Sequence, residues 1–117
     1  MKSIMQKKDG RCYLCERLNQ DFSEKPYLEE HHAIFGSSGR KLSTKFGLLI
    51  YLCPEHHRTS KDAVHQNHEM AAFVQDKAQR AFESHFKDLD FMEIFGRNYK
   101  LENEGRNEEI YGFKRLN

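Results

Sequence analysis

The sequence predicts an α+β fold in which a small β-hairpin is followed by helices. Two short apolar segments, 27–35 and 46–53, have the length and the residue types of strands. A longer segment, 67–86, has apolar residues at helical spacing. Cysteine and histidine recur at short spacing on either side of the predicted hairpin, which is typical of a small protein stabilised by a metal ion.

Length and composition are those of a single soluble domain. The chain has 117 residues, of which 38% are hydrophobic and 32% charged, with a formal net charge of +1. These values are typical of a globular protein and exclude a membrane-spanning or disordered chain. Because the net charge is near zero, a polyanion would have to bind a local basic patch. The first residues contain no apolar run of the kind found in signal peptides, so a cytoplasmic location is expected.

The hairpin is predicted from the first half of the chain. Residues 1–11 are polar and are expected to be loose, and the stretch from Cys12 to Cys15 suits a knuckle turn. The stretch 36–45, GSSGRKLSTK, is rich in turn-forming residues and is expected to be the loop between the two strands. The second strand, FGLLIYLC, is short and apolar and is therefore expected to be buried.

The second half of the chain is predicted to be helical. In the segment 67–86, the positions that recur at helical spacing are Met70, Val74, Ala78, Ala81, Phe82 and His85. Asn67 is the predicted N-cap of this helix. A second, short helix is expected over 88–96, ending at Gly96. The charged tail, 102–117, is expected to be peripheral.

Two ligand pairs predict a structural zinc site. Cys12 and Cys15 are separated by two residues, and Cys53 and His56 have the same spacing. A turn of this length brings both side chains of a pair to one ion, and four protein ligands leave no open coordination position. The other interpretations are buried free thiols or a redox-active CxxC motif. The fourth ligand in register and the missing βαβ pattern argue against them.

Two adjacent histidine pairs predict a second site. One pair, His31 and His32, precedes the glycine-serine stretch, and the other, His56 and His57, follows Cys53. Adjacent residues on a helical turn point roughly 100° apart, so His56 and His57 can serve different sites. With His56 assigned to zinc, the other three histidines remain as candidates for a second metal centre.

The motifs HHAIFG and LCPEHHRT, separated by a predicted hairpin, resemble those of the HNH nucleases. The resemblance is closer to the small zinc-containing HNH proteins encoded by phages and prophages of Gram-positive bacteria. It covers 12–67 and extends through FMEIFGRNY at 91–99. It implies that residues 1–117 form one nuclease-like domain, with a ββα-metal core over 12–67 and a helical part over 67–99.

The resemblance also implies roles for individual histidines. His31 matches a ligand of the catalytic ion, and His57 matches a second ligand. His32 matches the general base that activates water. We expect His65 to be the third ligand of the catalytic ion.

Two of these assignments depend on local backbone geometry. His57 and His65 would lie roughly 12 Å apart on a continuous helix, so the chain must turn between them if they share an ion. His31 and His32 would face opposite sides of a regular strand. Both reach one site only if the strand is bulged or ends there. The weaker candidates for the third ligand are Asn67 and His68.

The chain departs from the family pattern at one position. In the HNH family the middle asparagine, on the second strand, helps to orient the catalytic histidine. Gly47 or Leu48 stands at the matching place in this chain. Another group would then have to hold His32, and the candidates beside it are Glu29 and Glu30.

The reaction that the resemblance implies is metal-dependent hydrolysis of phosphodiester bonds in DNA, leaving 5′-phosphate and 3′-hydroxyl ends. The expected cofactors are a structural Zn²⁺ and a catalytic Mg²⁺ or Mn²⁺, with Ni²⁺, Co²⁺ and Zn²⁺ as alternatives for an imidazole-rich site. The expected partner is duplex or branched DNA, during phage DNA recombination or processing in a bacterial cytoplasm, and a homodimer is one option. Phosphate contacts are expected from Arg40, Lys41, Lys45, Arg58 and Lys61.

The main alternative is a non-catalytic zinc module that binds DNA or a protein partner, and the missing asparagine favours it. A redox or metal-storage protein is a second and weaker alternative. Metal-dependent nicking of plasmid DNA that is lost in His32→Ala would distinguish a nuclease from a binding module.

Overall fold

The computed structural model describes residues 2–101, and in this part of the chain a two-stranded sheet lies among four α-helices and one π-helical turn. In chain order the elements are α1 (Tyr13–Asn19), β1 (Glu29–His32), α2 (Ser37–Phe46), β2 (Leu49–Leu52), the π-helical turn (Glu55–Thr59), α3 (His68–His85) and α4 (Phe91–Phe95). The predicted α+β class, with an antiparallel hairpin and several helices, is confirmed. Within residues 2–101, no helix has the length and apolar character needed to cross a membrane. The charged tail at 102–117 lies outside the described residues.

The hairpin is shorter than the sequence predicted, with four residues in each strand. The strands pair antiparallel, with His31 opposite Ile50 and His32 opposite Leu49. Successive side chains of a strand point to opposite faces. His31 is therefore buried, whereas Glu30 beside it is exposed. The strand thus directs one histidine of the first pair into the interior.

Residues 36–45 form most of helix α2 instead of a loop, so that prediction is wrong. The hydroxyl of Ser43 donates to Ile34 O at 2.8 Å and accepts from Ile34 N–H at 3.1 Å. A side chain at Gly39 would come within 3.0 Å of Ile34. The small residues of this segment therefore allow a helix to lie close against the chain that leaves β1.

The N-terminal segment, which the sequence predicted to be loose, is held along β2. Ile4 N–H donates to Gly47 O at 2.8 Å. Tyr51 N–H donates to Gln6 Oε1, also at 2.8 Å. Gly47 has a φ of 74°, and a Cβ atom there would collide with Lys2 O. Only glycine accommodates both this backbone conformation and this close approach.

The C-terminal helices pack aromatic side chains against the end of α2. The rings of one cluster have centroid separations of 4.2 to 6.2 Å, and its members are Phe46, Phe82, Phe86, Phe91 and Phe95. Asn67 caps α3 as predicted, because its Oδ1 accepts from Glu69 N–H at 2.9 Å. The helix α4 ends at Gly96, also as predicted. This packing joins the helical part of the chain to the hairpin.

Candidate metal centres

Three cysteines and one histidine meet beside the hairpin, and we call them the Cys3His cluster. Cys12 is the N-cap of α1 and Cys15 lies in its first turn, whereas Cys53 and His56 follow β2. The Nδ1 atom of His56 lies 3.7, 3.4 and 3.5 Å from the three sulfur atoms, taken in chain order. All four ligand atoms lie within 4.8 Å of one another. These four residues are therefore close enough to bind one metal ion.

The donor set and the spacing of this cluster fit zinc. A tetrahedral site with Zn–S bonds of about 2.3 Å places its sulfurs about 3.8 Å apart, and the sulfurs of Cys15 and Cys53 are 3.8 Å apart. Burial and the neighbouring Cys12 raise the pKa of both of these thiols. Burial also acts to raise the pKa of Cys12, but hydrogen bonds from His56 and from the backbone outweigh it and lower this pKa to about 6. Adjacent thiolates repel one another, and a bound cation removes that repulsion.

The π-helical turn sends two adjacent histidines to different clusters. The backbone amides of His56 and His57 both donate to Cys53 O, at 3.1 and 2.9 Å. His56 directs its Nδ1 atom at the cysteines, whereas Nε2 of His57 lies 3.1 Å from Nε2 of His65. One tight turn thereby supplies a ligand atom to each of two clusters.

The second group, which we call the histidine cluster, consists of His31, His57 and His65. Their ligand nitrogens lie within 4.8 Å of one another. The chain turns sharply between His57 and His65, because His65 N–H donates back to His57 O at 3.2 Å. Two imidazole nitrogens bound to one ion by bonds of about 2.1 Å lie about 3.0 to 3.4 Å apart. The 3.1 Å separation of the His57 and His65 nitrogens fits that range.

The weaker candidates for the third ligand stay outside this cluster. Asn67 is occupied as the N-cap of α3, where it accepts hydrogen bonds from two backbone amides. His68 is the exposed first residue of that helix and does not belong to the histidine cluster. Of the three candidates, only His65 brings its ring to the other two histidines.

An unsatisfied atom lies in the histidine cluster. The His31 residue is 2% exposed, and its Nε2 is the one buried side-chain nitrogen or oxygen within residues 2–101 that has no hydrogen-bond partner. Burial, followed by the nearby His57 and His65, lowers the pKa of His31 to about 3, so the ring is neutral at physiological pH. A buried polar atom without a partner is destabilising. A metal ion held by three neutral imidazoles would give this atom its partner.

Glu29 fixes the orientation of one imidazole. Its Oε1 accepts from Nδ1 of His57 at 2.5 Å and from Nε of Arg58 at 3.2 Å. The hydrogen bond from His57 holds the pKa of Glu29 below its usual range, so the carboxylate is ionised. The proton of His57 therefore lies on Nδ1 and its lone pair on Nε2, which faces His65. The sequence offered Glu29 and Glu30 as candidates to hold His32, but Glu29 contacts His57 and the hydrogen-bond partner of His32 is Thr44.

His32 lies beside the histidine cluster without belonging to it. Its Nε2 is 3.0 Å from the hydroxyl of Thr44 on α2, and its Nδ1 has no hydrogen-bond partner within residues 2–101. A shared site for both histidines of the first pair requires that the strand is bulged or ends there. Strand β1 ends at His32, and both histidines reach the same cavity. This cavity of about 340 Å³, the histidine cavity, is lined by Glu30, His31, His32, Phe35, Arg40, His57, Arg58 and His65.

The predicted phosphate contacts divide into two groups. Arg40 and Arg58 line the histidine cavity, and Arg40 and Lys41 line a neighbouring cavity that His32 also borders. Lys45 instead lies over the ring of Phe46, with Nζ 5.4 Å from the centroid. Lys45 and Lys61 line neither of these two cavities.

Sequence reasoning did not identify Thr44. Its contact with His32 spans twelve residues and exists because 37–46 is a helix. Since the sequence predicted a loop there, no local pattern pointed to this hydroxyl. Glu29 carried a weak signal, because it precedes His31 by two residues and so points to the same side of the strand.

No protein-family model, curated protein or solved structure matches this chain. The assignment to the HNH family, the phage origin, the DNA partner and the homodimer therefore stay predictions from the residues quoted above.

Proposed function

We propose that this chain is a metal-dependent endonuclease of the HNH type that hydrolyses phosphodiester bonds in DNA. The observation that carries the proposal is the buried, unsatisfied Nε2 of His31 in the histidine cluster. It lies at a cavity that also contains His32 and two arginines. A structural site alone has no need of an open cavity with a free base and exposed guanidinium groups beside its ligands.

The ββα-metal core of this family is assigned to β1, β2 and the π-helical turn, followed by α3. His31 comes from the first strand, and His57 comes from the turn after the second strand. The turn replaces the first part of the family's helix, and the chain then folds back to bring in His65. The histidine cluster would hold the catalytic ion, and the Cys3His cluster would hold a structural zinc.

The reaction requires a base, an anion-binding surface and a Lewis acid. When bound, the divalent ion would supply Lewis-acid stabilisation of charge on the phosphate and on the leaving oxygen. Arg40 and Arg58 line the same cavity and would hold the phosphate oxygens in position. Both are exposed side chains, so they reach a substrate without a change in the fold.

His32 would act as the general base through Nδ1. Thr44 accepts a hydrogen bond from Nε2–H in the tautomer that leaves Nδ1 free. Nδ1 takes a proton from water as the water oxygen forms a bond to phosphorus. The bond from phosphorus to the 3′ oxygen breaks, and that oxygen takes a proton from solvent. The products carry 5′-phosphate and 3′-hydroxyl ends.

The missing asparagine of the motif has a physical reason in this chain. Position 47 is restricted to glycine by its φ of 74° and by the N-terminal segment packed against it. Leu48 is fully buried and contributes to the core. Thr44 would take over the positioning of His32 from α2. The same absence supports the alternative, a non-catalytic zinc module that binds DNA or a protein partner and cuts no DNA.

One experiment separates these two functions. We expect the wild-type protein to nick supercoiled plasmid DNA when Mg²⁺, Mn²⁺ or Ni²⁺ is added. We expect His32→Ala to cut at least about a hundredfold more slowly, which is the usual worth of general-base catalysis, while its affinity for DNA and metal is retained. His85→Ala is the matched control, because His85 is exposed at the end of α3. Equal cutting by His32→Ala and wild type, or binding without cutting in every metal, would contradict the proposal.

A further inference from the structure

A second cation-rich surface lies on the N-terminal segment, at a distance in sequence from all the predicted phosphate contacts. The segment is held along β2 by backbone and side-chain hydrogen bonds, including that between Ser3 Oγ and Leu49 O at 2.5 Å. This arrangement creates a cavity of about 510 Å³, which we call the lysine groove. It is lined by Lys2, Ser3, Gln6, Lys7, Lys8 and Tyr51.

The lysine groove carries three positive charges, and the carboxylate of Glu30 lies opposite Tyr51 at one side of it. None of its lining residues is acidic. Lys2, Lys7 and Lys8 are exposed, and none of them forms a salt bridge in that part of the chain. The ammonium group of Lys8 lies 5.8 Å from the centroid of the Tyr51 ring. The chain as a whole has a formal net charge of only +1, so this is a local patch rather than a general basic surface.

The position of the groove relates it to the histidine cavity. Tyr51 lines the groove and is paired directly with Glu30 across the hairpin. Side chains that are directly opposite in an antiparallel pair point to the same face of the sheet. Glu30 in turn lines the histidine cavity, as does His32, which lies two residues along the same strand. Tyr51 of the groove and Glu30 and His32 of the cavity therefore share one face of the hairpin, whereas His31 points to the opposite face.

We infer that the lysine groove binds the phosphodiester backbone of a nucleic acid, at nucleotides that flank those held in the histidine cavity. This inference rests on the proposed function, since the nucleic acid is the substrate of that same site. Three flexible ammonium groups along one exposed segment suit a repeating polyanion better than a single small anion, which would need a converging, buried set of donors. Tyr51 forms the wall of the groove and keeps the bound strand on the face of His32.

The test is the salt dependence of DNA binding by the full chain. A fluorescein-labelled duplex oligonucleotide is titrated at several NaCl concentrations without added divalent ions, and binding is measured by fluorescence anisotropy. In the double variant Lys7→Ala with Lys8→Ala, we expect the slope of log K against log salt to fall by about two, roughly one for each phosphate that the variant no longer neutralises. The double variant Lys87→Ala with Arg97→Ala is the matched control, because it removes the same charge from exposed side chains that lie outside the groove and are not among the predicted phosphate contacts.

The outcomes distinguish the groove from the proposed nuclease activity. An unchanged salt-dependence slope in Lys7→Ala with Lys8→Ala would contradict the assignment of the groove as a DNA-binding surface. An equal reduction of the slope in the control variant would contradict it too, whatever the cleavage assay shows. If the slope falls as expected but the wild-type protein cleaves no DNA, the groove would be supported as a DNA-binding surface and the nuclease proposal would be contradicted. A third arm uses vesicles of anionic phosphatidylserine: lysine-dependent binding to vesicles but not to DNA would show a membrane-binding surface and overturn the inference. The melting temperature of each variant verifies that the fold is retained.

Discussion

The Cys3His cluster and the histidine cluster differ in the number of potential ligands, although the adjacent residues His56 and His57 connect them. The first cluster has four, three of them buried, and four ligands complete a tetrahedral ion even though Cys15, Cys53 and His56 also line a cavity of about 480 Å³. The second has three ligands, one of which is exposed, and it opens into a cavity. Four protein ligands suit a structural zinc, and three with an open side suit a reactive ion.

The surroundings of the two clusters differ in the same direction. The Cys3His cluster is tied to α1 and β2, so an ion there would cross-link two separate parts of the chain. The histidine cluster is surrounded by groups that an inert site does not need: Glu29 on His57, Thr44 on His32, and two arginines at the cavity. Ligand type alone therefore does not indicate the role of a metal site, whereas the number of ligands and the groups that surround them do.

The largest expected effect is on the Cys3His cluster. We expect Cys15→Ser to lose zinc and to lower the melting temperature by at least about 10 °C, because binding of a structural ion is coupled to folding. Zinc content after gel filtration and a thermal melt measure the two effects. Full zinc occupancy with an unchanged melting temperature in this variant would remove the structural role of the cluster.

The second-largest expected effect concerns His57, whose neighbour His56 belongs to the other cluster. We expect His57→Ala to keep one zinc per chain and most of the fold, while losing DNA cleavage and the second metal ion. Isothermal titration with Mn²⁺ or Ni²⁺, on protein that already contains zinc, measures the second site. If His57→Ala instead released zinc and His56→Ala retained it, the assignment of the two neighbours would be reversed.

The Cys3His cluster could be predicted from sequence because its ligands form two short-spaced pairs. The spacing of Cys12 to Cys15, and of Cys53 to His56, limits each pair to one turn of chain. The need for a turn between His57 and His65 was also predictable, since helix geometry would otherwise keep the two rings apart. In both cases the short separation of the residues along the chain limits how far apart their side chains can lie.

The features that the sequence did not predict depend on contacts between distant segments. Helix α2 forms where glycine and serine favour a turn, because Gly39 and Ser43 let it pack against Ile34. The N-terminal segment is ordered by contacts with β2, some of them 46 residues away in the chain. Neither feature has a local periodicity that a sequence pattern would detect.

The smallest expected effect concerns Thr44, which tests whether the open cluster has its own positioned base. Thr44 is exposed and its side-chain hydroxyl bonds to Nε2 of His32, so its replacement should leave the fold and the Cys3His cluster unchanged. Thr44→Val keeps the size of the side chain but removes the hydroxyl. One hydrogen bond is worth about 0.5 to 1.5 kcal/mol, so we expect single-turnover cleavage to slow by about two- to twelvefold.

Thr44→Ser is the matched control for that measurement, because it restores the hydroxyl without the methyl group. We expect it to recover most of the cleavage rate, with Mn²⁺ affinity and DNA affinity the same in both variants. A reduction in rate that is equal in Thr44→Val and Thr44→Ser would assign the effect to packing of α2 rather than to the hydrogen bond. A reduction that appears only in DNA affinity would place Thr44 among the phosphate contacts beside Arg40 and Lys41. Either result would leave His32 without a positioning partner, and the histidine cluster would then resemble a binding site more than a catalytic one.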